Sequence, residues 1–175
     1  MKSFIFSLLC LMATNIARAQ AGQPVAISKH VSVQFPVKPV TNEQAVATTF
    51  IGRSPDSTFN IIAIVTDMNK AIGLSPEALA AEMEKEETWK QAEETFVASM
   101  GARAKLLQSG FTVLVGLKTL KLEIELKGPT EKPNMLTSFM FTYEGLSYNL
   151  IFINRSGKAD ANQLTAFLQT VVLTK

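Results

Sequence analysis

Between Leu117 and Asn154 apolar and polar residues change places with a period of two, and no other stretch restricts the fold as much. Leu120, Leu122, Ile124 and Leu126 alternate with Lys121, Glu123, Glu125 and Lys127, which gives a strand one dry face and one wet face. Met135, Thr137, Phe139, Phe141 and Tyr143 line one face of a second strand. Glu144-Gly145 turns the chain, because glycine accepts the positive φ that tight hairpins require. Leu146 to Asn154 returns with Tyr148, Leu150 and Phe152 on one face, and Ile151 and Ile153 on the other. Three consecutive antiparallel strands are expected here, forming the C-terminal half of a sheet.

The other half is expected before Thr66. Val31, Val33 and Phe35 alternate with Ser32 and Gln34 in a first strand that Pro36 and Pro39 stop. Thr41 to Gln44 reads as a turn-like break, Ala47 to Gly52 as a strand, and Ser54-Pro55-Asp56 as a turn. Phe59 to Thr66 is apolar on both faces, as in a central strand covered on both sides. Cover is expected from a helix opened by Ser75-Pro76-Glu77, an N-cap, a first-turn proline and a dipole-matched acid, and closed at Gly101. Glu82, Glu86 and Glu93 fall on its apolar arc with Trp89 and Phe96, so a bend near Lys85 to Thr88 is expected. Gly110 is expected to turn the chain between Lys105–Ser109 and Thr112–Gly116. Asp160 is expected to cap a last helix, Asp160–Val172, through Leu164, Phe167, Leu168 and Val171.

The first nineteen residues are set aside as a signal peptide. Lys2 precedes the short apolar run Phe4–Met12, and Ala17-Arg18-Ala19 is a small-x-small cleavage site. The run falls well short of the roughly 20 residues that span a bilayer. Residues 20–28 then form a loose N-terminal arm, and 29–175 a single domain that is periplasmic or secreted, with no stable membrane insertion. Cleavage removes Cys10, the only cysteine, so no disulfide or thiol chemistry is expected. It also removes Lys2 and Arg18 from 17 basic residues, leaving 15 against 15 acidic. A neutral chain offers no electrostatic case for nucleic acid.

Little in the sequence carries chemistry. His30 is the only histidine and stands at the entrance of the first strand, where an exposed edge residue is expected rather than a base. Zinc ligands at short spacing and a glycine-rich phosphate loop are both missing. Glu82, Glu86, Glu93 and Glu94 share a helix face, where calcium binding or glutamate-dependent hydrolysis is weighed against a plain solvated surface, and the surface is preferred. Trp89 and Phe96, with Tyr143 and Tyr148, could line an apolar groove between helix and sheet or simply fill the core. Asn154-Arg155-Ser156 matches a glycosylation sequon. No catalytic, metal or cofactor-binding residue is assigned, and no cofactor is expected.

The opening strand Val31-Ser-Val-Gln-Phe-Pro36, the capped Ser75-Pro76-Glu77 helix and Gly116 entering a charged alternating strand form a pattern with the Tyr148-Asn-Leu150 strand and Phe167–Leu173 as a closing helix. This pattern resembles the PsbP-like family of α/β/α sandwiches, which includes the photosystem II extrinsic P subunit and exported bacterial relatives. The resemblance implies an α+β fold, a twisted antiparallel sheet flanked by helices, and a non-catalytic assembly or accessory role. The missing catalytic inventory and the export signal point to another envelope or secreted protein as partner. Carriage of a small apolar ligand between the long helix and the sheet is the alternative from a different class. The wet face of Leu120–Leu126, with Lys121, Glu123 and Glu125, is the expected contact surface.

Overall fold

A computed structural model describes residues 22, 24–127, 133–155 and 161–174. In chain order the elements are β1 (Pro24–Ala26), β2 (Val31–Gln34), β3 (Val40–Glu43), β4 (Ala47–Arg53), β5 (Phe59–Asp67), α1 (Met68–Ile72), α2 (Pro76–Met83), α3 (Glu86–Ser99), β6 (Ala104–Leu114), β7 (Leu117–Leu126), β8 (Asn134–Tyr143), β9 (Leu146–Asn154), α4 (Ala161–Leu168) and β10 (Val172–Leu173). Seven strands form one antiparallel sheet in the order β3-β4-β5-β9-β8-β7-β6, and β1-β2-β10 form a second, smaller one.

The alternation seen in the sequence sorts side chains onto the two faces of the large sheet. On one face Ile61, Ala63, Val65, Phe139, Phe141, Tyr148, Leu150 and Phe152 pack beneath Val31 and Val33 of the small sheet, Phe35 just after β2, and Phe167 of α4. Phe141 and Tyr148 stack there with centroids 4.9 Å apart, and the Tyr148 hydroxyl reaches Ser28 Oγ at 2.9 Å. On the other face Leu120, Leu122, Ile124, Leu136 and Ile151 meet Met83, Trp89, Phe96, Val97 and Met100 from the α2–α3 pair.

The N-cap expected at Ser75 forms: its hydroxyl accepts from the Ala78 N–H at 3.2 Å, with Pro76 in the first turn. The helix breaks at Glu84–Lys85, where a bend was expected, and Gly101 takes φ 68° beyond the end of α3.

Several expectations are corrected. Val31–Gln34 joins the small sheet, since β1 and β10 flank it on both sides. Pro24–Ala26 is therefore a strand rather than part of a loose arm. Thr41–Gln44 is no break. Thr41, Asn42 and Glu43 lie in β3, an edge strand exposed at every position, which needs no apolar alternation because it buries no face. Gly110 lies inside an unbroken β6; the turn falls instead at Val115-Gly116, with φ of 48° and 85°. The last helix stops at Leu168, and Val172–Leu173 crosses to β2 as β10. Asp67, whose side chain accepts from the Lys70 N–H at 3.1 Å, caps the unanticipated α1. The signal peptide, the Asp160 cap and residues 128–132 lie outside the described residues.

Candidate functional site

The residues with the most unspent binding chemistry meet where the start of α3 crosses the free edge of the large sheet. The α2–α3 break directs Trp89 onto Leu120, and its indole N–H donates to the Met83 carbonyl at 2.6 Å. That bond satisfies one of the carbonyls left open at the end of α2 and fixes the ring. Cross-strand pairing of Phe111 with Leu120 brings the Phe111 ring to the same place. The two rings meet edge to face, centroids 5.6 Å apart at 81°. Lys118 lays its ammonium over both, 4.7 Å from the Phe111 centroid and 5.9 Å from that of Trp89, a cation–π geometry. A second tie crosses the gap, where Ser109 Oγ donates to Glu93 Oε2.

An open cleft of about 420 Å³ runs beside this pair, lined by Glu86, Glu87, Lys90 and Glu93 from α3 and by Ser109 to Phe111 from β6. Among the described residues neither Glu86 nor Glu87 has an ion-pair partner. The cleft is thus acidic on one wall and aromatic at its floor. It lies where a carrier's apolar groove was weighed, between helix and sheet, and its helix wall is charged.

The edge itself is the second part of the site. β6 spans Ala104–Leu114 and pairs only with β7 among the described residues, leaving its other side unpaired along eleven residues. Leu107, Phe111 and Val113 are 46%, 50% and 71% exposed on it. The opposite edge, β3, has only four residues and is preceded by Pro39, features that discourage pairing. No sequence signal isolated β6, because the supposed turn at Gly110 divided it in two.

The other candidates separate. Tyr143 and Tyr148 lie on the face opposite Trp89 and Phe96, so the four aromatics line no common groove. A smaller recess of about 290 Å³, walled by Phe35, Phe59, Ile61 and Phe167, lies on the small-sheet side instead. Among the described residues no group of three or more acids and histidines is placed to hold a metal. Glu82 pairs with Lys85 at 2.6 Å, away from Glu93. His30 is half-buried rather than exposed, its ring edge-on to Tyr143 at 5.5 Å, and Nε2 has no partner among the described residues. Lys121 and Glu123 on the expected contact face bond each other at 2.6 Å and are only about one-third exposed. Asn154 is 2% exposed at the end of β9, which closes the sequon to a glycan in the folded chain.

The fold has a parallel among solved structures. The solution structure of cyanobacterial PsbP from Synechocystis aligns over 89% of this chain and 94% of its own, with a TM-score of 0.55 and 15% sequence identity. The chain has a PsbP-like fold. A crystal structure from Bacteroides thetaiotaomicron aligns over 88% of this chain at 13% identity and a TM-score of 0.48; this chain spans 49% of that protein's length. No family profile and no curated protein matches. At such identities the PsbP-like fold transfers and site residues do not, so the cleft and the β6 edge are read from their own chemistry. No described helix is long and apolar enough to cross a membrane.

Proposed function

We propose that this chain is a non-catalytic, exported accessory module that binds another envelope or secreted protein through the β6 edge. The observation that carries the reading is that edge: a strand of eleven residues, bulged at Leu107, whose side away from β7 is unpaired among the described residues and carries exposed Leu107, Phe111 and Val113, against a short and polar β3 on the far side. Unpaired N–H and C=O groups in a row are a template for one more strand. The PsbP-like fold supports an accessory role, and the leader read at residues 1–19 supports export. Glu86, Glu87 and Glu93 enter as surface charge rather than as acid–base catalysts, since they project from one helix wall instead of converging on a point.

Site-specific photocrosslinking tests this in the source cells. A photoreactive side chain at Val113 is expected to trap a discrete protein, while the same group at Val40 on β3 traps none. No adduct at Val113, or the same adducts at both positions, sinks the proposal.

A further inference from the structure

Resting on the docking reading above, we infer that the segment added to β6 is an extended strand carrying a lysine or arginine, seated over the Trp89–Phe111 pair with its charge toward Glu86 and Glu87. Three observations lead there. First, Gly110 sits mid-strand in β6, and a Cβ built on it meets nothing within 4 Å. The edge is therefore open at its middle, with no side chain of the described residues in the way of an added strand. Second, Lys118 already holds a cation over both rings, so an incoming basic side chain finds the ring edges with its methylenes and the acidic wall with its charge. Third, α3 holds four glutamates against Lys90 alone, and the carboxylates facing the cleft at Glu86 and Glu87 have no ion-pair partner among the described residues.

A strand paired with β6 projects alternate side chains to the helix side of the sheet. A long basic side chain there lays its methylenes on Phe111 and carries its charge toward the acidic wall. Charge also decides against the obvious competitor, a second copy of this chain. Antiparallel β6–β6 pairing about a twofold axis perpendicular to the sheet sets both α3 helices on one side, acidic wall near acidic wall. Like charges so placed oppose association.

The test uses the purified protein, ¹⁵N-labelled, and three capped peptides of alternating threonine and valine whose central residue is lysine, glutamate or threonine. The lysine peptide is expected to shift the backbone amides of Ala104–Leu114 and to bind at least about tenfold tighter than the glutamate peptide. That preference is expected to shrink in Glu86→Gln/Glu87→Gln and with rising salt. Equal binding of all three at β6 overturns the inference and leaves the docking reading standing. No shift at β6 with any peptide overturns both. Shifts at β6 that depend on protein concentration alone overturn the inference in favour of a second copy.

Discussion

The two faces of the large sheet are covered by different means. The small-sheet face is closed by stacked aromatics: Phe141 on Tyr148, Phe59 on Phe152 at 5.2 Å, and Phe152 against Phe167 at 6.3 Å. Tyr148, Phe141, Val31 and Val33 are all but sealed there. Among the described residues the helix face is covered by α2 and α3 alone, and toward β6 the cover gives out, leaving Phe111 half in water beside an open cleft. Because every buried methylene contributes about 0.8 kcal/mol, the small-sheet face is where stability is concentrated. The thinly covered end of the helix face is where surface remains for a partner.

The largest expected effect breaks that contrast directly. Phe141→Ala leaves a void beneath the small sheet and is expected to cost about 3–5 kcal/mol. Phe96→Ala, at a half-buried position on α3, is expected to cost about 1–2 kcal/mol, since only part of its ring leaves water on folding. Urea midpoints at unchanged slope measure both. Equal losses would mean that the two faces contribute alike.

Gly52 comes next. It lies in β4 directly under Phe35, and a Cβ there would stand 2.7 Å from the Phe35 ring and 3.1 Å from its Cβ. Gly52→Ala is therefore expected to push β2 off the sheet at a cost of about 1–3 kcal/mol. Gly110→Ala, with open space around it, is expected to stay within about 0.5 kcal/mol of the parent. If the two variants unfold at the same urea concentration, the small sheet does not lie on β4 as tightly as the geometry requires.

The strands were legible where one face is buried and hidden where none is. Leu120 to Leu126, the Phe139–Phe141–Tyr143 row and the two-sided Phe59–Thr66 strand announce themselves by alternation or by uninterrupted apolarity. β3 buries nothing, so Val40–Glu43 carries no periodic signal. The Glu144-Gly145 hairpin was readable. Val115-Gly116 was not, because a β-branched residue is a poor occupant of the left-handed region, and so Gly110 drew the turn instead. Val115 pays that backbone cost while packing against the aromatic core. The candidate site was legible only in parts. Trp89 and the glutamates stood out on the helix, but Phe111 and Lys118 join them through strand register, which a local reading does not supply.

Trp89→Phe sharpens the helix side of the comparison. An aromatic ring remains, smaller by the lost half of the indole, but the N–H to the Met83 carbonyl is gone, and that carbonyl ends α2 at the break before α3. A loss of about 1–2 kcal/mol is expected, with faster amide exchange around Glu84–Lys85 than in the parent. Unchanged exchange there would show that side-chain packing holds the two helices together without this bond.

The smallest effect is confined to alkali and belongs to the sealed face. Burial raises the Tyr148 phenol above its ordinary pKa near 10.0, and the bond to Ser28 only partly offsets the rise. A phenol whose folded pKa lies above its unfolded value keeps its full stabilising contribution below the unfolded value. That contribution fades as pH climbs through the folded one, since the unfolded chain releases its proton first. Unfolding free energy is thus expected to be flat with respect to this group up to about pH 10 and to fall beyond it. Tyr148→Phe removes that part of the alkaline slope while keeping the stack on Phe141. An alkaline slope identical in parent and variant would mean that the hydroxyl is hydrated in the folded protein. The small-sheet face would then be less closed than its packing indicates, and the contrast with the helix face correspondingly weaker.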